Sequence, residues 1–439
     1  MDNKSKMTRR KDTQQVKVNY EIQEWKATPF GGLYVFTEFL HQIGFHKRFT
    51  ACFEKLRKVR QSSPSQNVAL LAGMIVTGGE RLYDIGRLDN DQTLGELFDI
   101  TSTPKDTTLR DDLYLIGQKD TERAALLLDL NLMLFEKLGL KTITIDVDGT
   151  ALPVDGHQQG AEKGYCPAEL GARCFQSSKA ICDETETVLA EWTFPGNTHC
   201  AKDINNLLRP LLDRLKQAKI NIKLRMDAGY YSDALLLMLE SYHNVSYEIA
   251  VPQHEWLKDK IRALPYRSYY ASDRQYCSFS YGSGLNGAFR NYYVERSLKP
   301  AGSQTDLFDQ DNYHYRVVVS NRNRQPQVIF QSYNKRSRIE KHIEELKNQY
   351  ALGKMISGNF DVTKALCWLC HLTFTLIGIL RQIAFRRKMK KYRLRRLRFL
   401  LFSAIGWFVN HAKQKTFNLV LPRNGPIPFD AMMQRIWAF

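Results

Sequence analysis

The chain has 439 residues, 43% of them hydrophobic, which is enough for about two to four domains with a sizeable core. Its formal charge of +17 and pI near 9.4 call for an anionic partner, either nucleic acid or an acidic membrane surface. Cys52, Cys166, Cys174, Cys182, Cys200, Cys277, Cys367 and Cys370 show no paired framework and the opening MDNKSKMTRRKDTQQ is polar and basic without a signal-peptide pattern, so a reducing, cytoplasmic location is expected.

Residues 1–25 read as a disordered basic tail. From FGGLYVFTEFLHQIGF the pattern turns apolar and helical, with further short helices expected at Gln66–Val76, Arg81–Leu88, Leu94–Phe98 and Thr107–Ile116. Gly78 and Gly79 separate the first two of these, which makes a helix-turn-helix-like unit possible. Residues 26–135 therefore read as an all-helical module.

Strand periodicity begins at Lys141. In TITIDVDGT, Ile143, Ile145 and Val147 share one face while Thr144, Asp146 and Asp148 share the other. RCFQSSKAI and TVLAEWTF follow as neighbours joined by a turn at Cys182–Glu184. A helix (Ala201–Gln217), a strand (Asn221–Asp227), a helix (Ser232–Ser241) and a strand (Ser246–Val251) complete the region 136–251. In NIKLRMDAGYY, Ile222, Leu224 and Met226 point one way, and Arg225 and Asp227 the other. Both acid-bearing strands thus bury one face and end on a carboxylate. Three strands followed by alternating helix and strand is the order of a ribonuclease-H-like fold, which would put Asp148 and Asp227 on adjacent strands.

Between 252 and 331 the alternation gives way to aromatic and β-branched runs, which read as a β-rich insertion. Gly282, Gly284 and Gly287 spell GxGxxG, but strand-like runs flank them on both sides, so a hairpin turn is expected rather than a nucleotide loop. Residues 332–352 then read as one helix. At about 100° per residue, Tyr333, Arg336, Glu340 and Lys347 fall within roughly 60° of arc, while Ile339, Ile343, Leu346 and Tyr350 form the adjacent arc expected to face the core. A carboxylate between two cations and a phenol suits metal-assisted chemistry on nucleic acid. Three carboxylates from two strands and a distant helix suit a two-metal site, because hard divalent cations prefer oxygen ligands and must stand about 4 Å apart to clamp the attacking and leaving oxygens.

Residues 353–439 read as a helical basic region, with 16 Lys and Arg against Asp361 and Asp430. Ten of the basic residues fall between Arg381 and Arg398, where Arg386, Arg387, Lys388, Lys390 and Lys391 make a phosphate-tracking arm. The apolar run Ala365–Leu380 is short for a membrane span and reads as a buried helix, with Cys367, Cys370 and His371 in core packing rather than haem attachment.

Tyr333, Arg336, Glu340 and Lys347, together with Asp148–Gly149–Thr150 and Asp227–Ala228–Gly229–Tyr230, are the residues on which the chain resembles the DDE transposases of bacterial insertion sequences, in the cut-and-paste branch marked by a Tyr-Arg-Glu-Lys signature. The resemblance implies an α/β, ribonuclease-H-like core with a β-rich insertion, flanked by a helical DNA-recognition domain and a helical basic C-terminal region used for DNA binding and dimerisation. It implies Asp148, Asp227 and Glu340 as catalytic and metal-ligating residues, with two Mg²⁺ ions per site for which Mn²⁺ substitutes. Asp146 shares the face of Asp148 and is its rival. Asp148 is preferred because the family's catalytic Asp ends its strand before a small residue and Thr.

Under the same resemblance Tyr333, Arg336 and Lys347 contact phosphates, and Arg81, Arg87 and Arg110 are candidates for reading the terminal inverted repeats. One aromatic among Trp256, Tyr269, Tyr270, Tyr276, Phe279 and Tyr281 would hold a flipped base if excision passes through a DNA hairpin. The expected partners are inverted-repeat and target duplex DNA and a second copy of the chain in a synaptic complex, with no membrane. Two other readings stay open: a ribonuclease-H-like nuclease without strand transfer, and a transposase-derived DNA-binding regulator that has lost catalysis.

Overall fold

The computed structural model describes residues 4–9, 16–21, 27–59, 61–88, 91–167, 169–199, 201–268, 273–282, 289–299, 312–386, 388–411, 414–422 and 425–439. Lys4–Arg9 pairs antiparallel with Val16–Glu21, so the segment expected to be a disordered tail carries two strands.

Helices α1 (Leu33–Gln42), α2 (Phe45–Cys52), α3 (Pro64–Thr77), α4 (Gln92–Leu97), α5 (Asp106–Gly117) and α6 (Asp120–Leu138) form the N-terminal part. The ends of α3 show how local chemistry sets such bounds. Ser63 and Gln66 make a reciprocal capping box, Pro64 sits where its missing N–H costs nothing, and Gly78 closes the helix at φ 110°. The segment expected as a helix at Arg81–Leu88 is a 3₁₀ turn over Leu82–Leu88, too tight to serve as the second helix of a helix-turn-helix.

The centre is a mixed sheet. Its strands are β1 (Thr142–Pro153), β2 (Arg173–Cys182), β3 (Thr187–Pro195), β4 (Asn221–Met226), β5 (Val245–Ala250), β6 (Arg274–Gly282), β7 (Phe289–Leu298) and β8 (Tyr313–Ser320), in the order β3-β2-β1-β4-β5-β8-β7-β6. β2 runs antiparallel to β1, while β4 and β5 run parallel to it. Between β3 and β5 lie α7 (Ile204–Gln217) and α8 (Asp233–Glu240). The expected pleat holds: Ile143, Ile145, Val147, Ile222, Leu224 and Met226 are all buried in one apolar cluster together with α7 and α8. Val147 pairs with Met226, so the chain leaves β4 for Asp227 beside the position of Asp148 on β1.

The interval expected as a separate β-rich insertion extends this same sheet, because β8 pairs antiparallel with β5 from Val318↔Ala250 onward. It also contains α9 (Glu255–Arg262), where the aromatic and β-branched pattern points to strands alone; Leu257 and Ile261, one turn apart, are its buried anchors. The GxGxxG stretch falls between the paired strands β6 and β7, and Gly284 and Gly287 lie outside the described residues.

The single helix expected over 332–352 is two helices. Tyr333 ends α10 (Pro326–Tyr333), Asn334–Ser337 is a 3₁₀ turn, and α11 runs Arg338–Gln349. Next comes α12 (Phe360–Ala384), buried along its length as expected for the apolar run, with Cys367, Cys370 and His371 fully enclosed. The region after it is less helical than expected. A short α13 (Leu394–Leu397) leads to an antiparallel pair, Gly406–His411 with Gln414–Leu419, before α14 (Phe429–Trp437). Phe408 and Phe417 pack within that hairpin, and Phe417 stacks on Tyr34 of α1 at 5.2 Å.

The N-terminal helices approach α12 closely at Gly117, where a Cβ would lie 1.9 Å from the Asp361 carbonyl oxygen. Neither backbone can yield without parting the helices. Gly117→Ala is expected to destabilise the fold by about 1–3 kcal/mol, seen as a lower urea midpoint at unchanged slope.

Candidate active site

The face of the sheet opposite the apolar cluster is polar where β1 and β4 meet. Arg225 on β4 is fully buried. Its Nε donates to Asp146 Oδ1 at 2.6 Å and its Nη2 to Asp146 Oδ2 at 2.7 Å, a two-pronged pair. The same guanidinium lies 3.2 Å from Asp183 and donates to the Ser332 carbonyl of α10 at 2.9 Å. Burial pushes the Asp146 carboxyl up to about 6, with Arg225 pulling the other way. Asp146 is thereby committed to holding β1, β4 and the β2–β3 turn together. Strand alternation puts Arg225 on this face without giving it a role; the signal for one is its position two residues before Asp227, matching Asp146 before Asp148.

Asp148 has a different environment. Its side chain is 15% exposed, it accepts from its neighbour Gly149 N–H at 2.9 Å, and Arg336 Nη1 donates to its Oδ2 at 3.2 Å. Asp227 caps the 3₁₀ turn Ala228–Tyr230, taking the Gly229 N–H at 3.0 Å. Burial first, then the charge of Asp148, raises the Asp227 carboxyl above its ordinary value, while Arg336 and the exposed His199 act against them. The two strand acids therefore feel one another across the end of the β1–β4 pair.

Three of the four signature residues dock α10 and α11 onto these strands. The Tyr333 hydroxyl donates to the Met226 carbonyl at 3.3 Å, Arg336 reaches Asp148, and Lys347 Nζ donates to the Ala151 carbonyl at 3.0 Å. Tyr333 is 7% exposed and packs with Ile329, Phe330, Tyr293 and Val318. Burial lowers the Lys347 ammonium. Ile339, Ile343, Leu346 and Tyr350 are buried as expected.

Glu340 is the least gathered member. Its side chain is 66% exposed and its nearest cation is Arg336 Nη2 at 4.0 Å. Among the described residues no three His, Cys, Asp or Glu side chains converge closely enough to hold a metal ion. The donor set still fits a hard divalent cation. Asp227 just past the end of β4 and Asp148, which stands within β1 rather than at its end as expected, supply oxygen ligands side by side, and the Arg336 guanidinium already stands as a positive charge between Asp148 and Glu340.

The basic segment stands apart from the acids. Arg386, Lys388 and Lys391 are exposed, Lys390 Nζ donates to Gln382 at 3.1 Å, and Arg387 lies outside the described residues. Not all of the ten basic residues face solvent. Arg381 is buried, and Arg398 donates to the carbonyls of Val76, Ile75 and Gln349. Arg81 is exposed, Arg110 pairs with Asp106 at 2.8 Å on its own helix, and the Arg87 side chain lies outside the described residues. Of the candidate aromatics, Trp256 on α9 stacks on Tyr281 at 4.7 Å and Phe279 stacks on Tyr292 at 5.3 Å, while Tyr276 packs on Phe330. Tyr269 and Tyr270 lie outside the described residues.

The chain matches the family described as transposase DDE domain group 1 over residues 10–435. Among solved structures it is similar to a piggyBac transposase in a synaptic complex with hairpin DNA, with 11% identity, 85% of this chain and 80% of that one covered, and a TM-score of 0.43. It is also similar to a chain of the pre-cleavage Mos1 transpososome, with 12% identity, 46% and 63% covered, and a TM-score of 0.17. No curated protein matches it significantly.

The two β1 acids are separable by experiment. Asp146→Ala leaves Arg225 as an unpaired buried cation and is expected to cost about 3–5 kcal/mol of unfolding free energy. Asp148→Ala removes a partly exposed partner of Arg336 and is expected to cost about 1 kcal/mol or less, so chemical denaturation of the two variants should differ clearly.

Proposed function

The chain belongs to the DDE transposase family, and on that premise we propose that it binds the terminal inverted repeats of an insertion sequence, cuts DNA by two-metal phosphodiester hydrolysis and joins the released 3′ ends to target DNA. Members of the family are metal-dependent enzymes of DNA cleavage and transfer. The observation that carries the finer reading is the docking of α10, α11 and the turn between them on the two acid strands, Tyr333 on β4 and Arg336 and Lys347 on β1. The strand order and the parallel β1, β4 and β5 favour a ribonuclease-H-like core.

In this reading Asp148 and Asp227 would hold two Mg²⁺ ions, or Mn²⁺ in their place, with Glu340 completing the set. The bound metal supplies Lewis-acid activation of the attacking oxygen and neutralises charge on the leaving one. Arg336 exchanges its pair with Asp148 for a phosphate near the scissile bond, where its planar fork matches the phosphate oxygens. Water attacks phosphorus as the bond to the 3′ oxygen breaks, and that oxygen leaves as a hydroxyl. The 3′ hydroxyl then attacks a target phosphodiester at the same site, exchanging one P–O bond for another, so no covalent protein intermediate is needed. Arg386, Arg387, Lys388, Lys390 and Lys391 grip duplex DNA beyond the site, and two copies of the chain pair the two ends. The outward Glu340 favours one rival, a DNA-binding regulator of the same descent without catalysis.

Asp148→Ala, Asp227→Ala and Glu340→Ala are each expected to abolish Mg²⁺-dependent nicking of an inverted-repeat duplex while binding to that duplex stays within about twofold, measured by gel cleavage and fluorescence anisotropy. Binding without nicking by the unaltered protein in either metal would favour the regulator. Neutralising the described basic residues Arg386, Lys388, Lys390 and Lys391 should weaken binding and flatten its dependence on salt, by roughly 0.9 in log–log slope for each phosphate that is no longer neutralised. An unchanged slope would remove that segment from the DNA surface.

A further inference from the structure

A row of buried charge crosses the sheet beside the acid site. In the antiparallel register Asp148 on β1 lies opposite Lys179 on β2, and Lys179 lies opposite Glu191 on β3. Directly opposed residues project from the same face, so the three side chains form a line across the strands. The line continues off the sheet to α6, where Arg123 lies 3.5 Å from Glu191 and 2.6 Å from Asp120. Successive charges alternate in sign from Asp148 to Asp120.

Lys179 is the unusual member. Its side chain is fully buried, and its Nζ donates to the Ser177 carbonyl at 3.2 Å. Among the described residues it makes no ion pair. Two buried polar atoms near it, Ser177 Oγ and His371 Nε2, have no hydrogen-bond partner. Burial draws the Lys179 ammonium down to about 8, and Asp148 is the foremost charge holding it up, so it stays mostly charged at neutral pH. A buried ammonium without a close counter-ion is costly to keep, and hydrophobic residues would pack more cheaply there.

Arg336 and Lys179 both place positive charge near Asp148, but they differ in freedom. Arg336 lies at the mouth of the site and can exchange Asp148 for another anion, whereas Lys179 is enclosed beneath α12 and cannot leave.

We propose that Lys179 is a positioning residue of the acid site, a fixed internal charge one strand from Asp148 that restrains cation binding by the carboxylates until DNA phosphates add their own negative charge. The inference rests on the reading of Asp148 as a metal ligand. Lys179 touches neither substrate nor metal and acts through the field it imposes on Asp148. Glu191, on its other side, offsets part of that field.

The test is Mn²⁺ titration of the DNA-free protein, followed by electron paramagnetic resonance of the unbound ion, with thermal melts run in parallel. Lys179→Met, close in shape and without charge, is expected to bind Mn²⁺ roughly tenfold tighter than the unaltered protein. Glu191→Gln, which exposes Asp148 to more of the Lys179 charge, is expected to bind about two- to threefold weaker. Opposite signs from neighbouring positions would not arise from a general loosening of the sheet, and the Glu191→Gln result decides alone if Lys179→Met fails to fold. Equal or weaker binding by Lys179→Met, including none by either protein, overturns the inference. Asp148→Ala separates the two levels: if it leaves Mn²⁺ affinity unchanged, the ligand assignment itself fails, and if it weakens binding while Lys179→Met does nothing, only the role of Lys179 fails.

Discussion

The arrangement of the acid site depends on one buried guanidinium. Arg225 is on β4, and its donors reach Asp146 on β1, Asp183 in the β2–β3 turn and the Ser332 carbonyl of α10. Four segments distant in sequence are thereby fixed to one planar fork. Each consequence for the site follows from that geometry. The parallel β1–β4 pairing sets Asp148 beside Asp227, and tethering the last turn of α10 sets where Tyr333 enters the core and hence where Arg336 and Glu340 emerge. A lysine could not take this place, since a single ammonium has no rigid fork to divide among three directions.

Much of this was legible in the chain. Period-two alternation gave both acid strands and their apolar faces, because a strand with one apolar and one polar face must alternate them at every residue. Of the four residues whose spacing put them on one face, Tyr333, Arg336 and Lys347 reach the sheet, while Glu340 is turned to solvent. The bonds these residues make were less legible: Tyr333 and Lys347 donate to the backbone carbonyls of Met226 and Ala151. Their targets are main-chain atoms with no sequence signature. The 3₁₀ turn at Asn334–Ser337 was hidden for a related reason: it adds about 20° per residue to the helical progression, a drift too small to break an apolar pattern over four positions.

The basic C-terminal region shows the limit of counting charge. Ten Lys and Arg between Arg381 and Arg398 read as one solvated arm, but Arg381 is buried and Arg398 is spent on helix-end carbonyls. Arginine can bury its long stem and still satisfy its head on backbone oxygens, so a run of arginines mixes internal fasteners with exposed contacts. Likewise the aromatic interval after β5 looked like an independent unit, when its strand β8 in fact continues the sheet from β5. Strand pairing between segments so far apart in sequence leaves no local trace. Burial of a charged residue is equally invisible, which is why Lys179 and Arg225 emerge only from the fold.

The account's central claim is that Asp148, Asp227 and Glu340 form one metal-dependent site that both cuts DNA and joins it. Its most direct test is to incubate the purified protein with a duplex carrying the inverted repeat that flanks its own gene, labelled at the 5′ end of the strand whose new 3′ end is joined, in Mg²⁺ or Mn²⁺, with a plasmid target and with Glu340→Ala in parallel. Cleavage at the repeat boundary followed by transfer of label to the plasmid, with neither product from Glu340→Ala, is the predicted result. Cleavage without transfer, or products undiminished in Glu340→Ala, would contradict it.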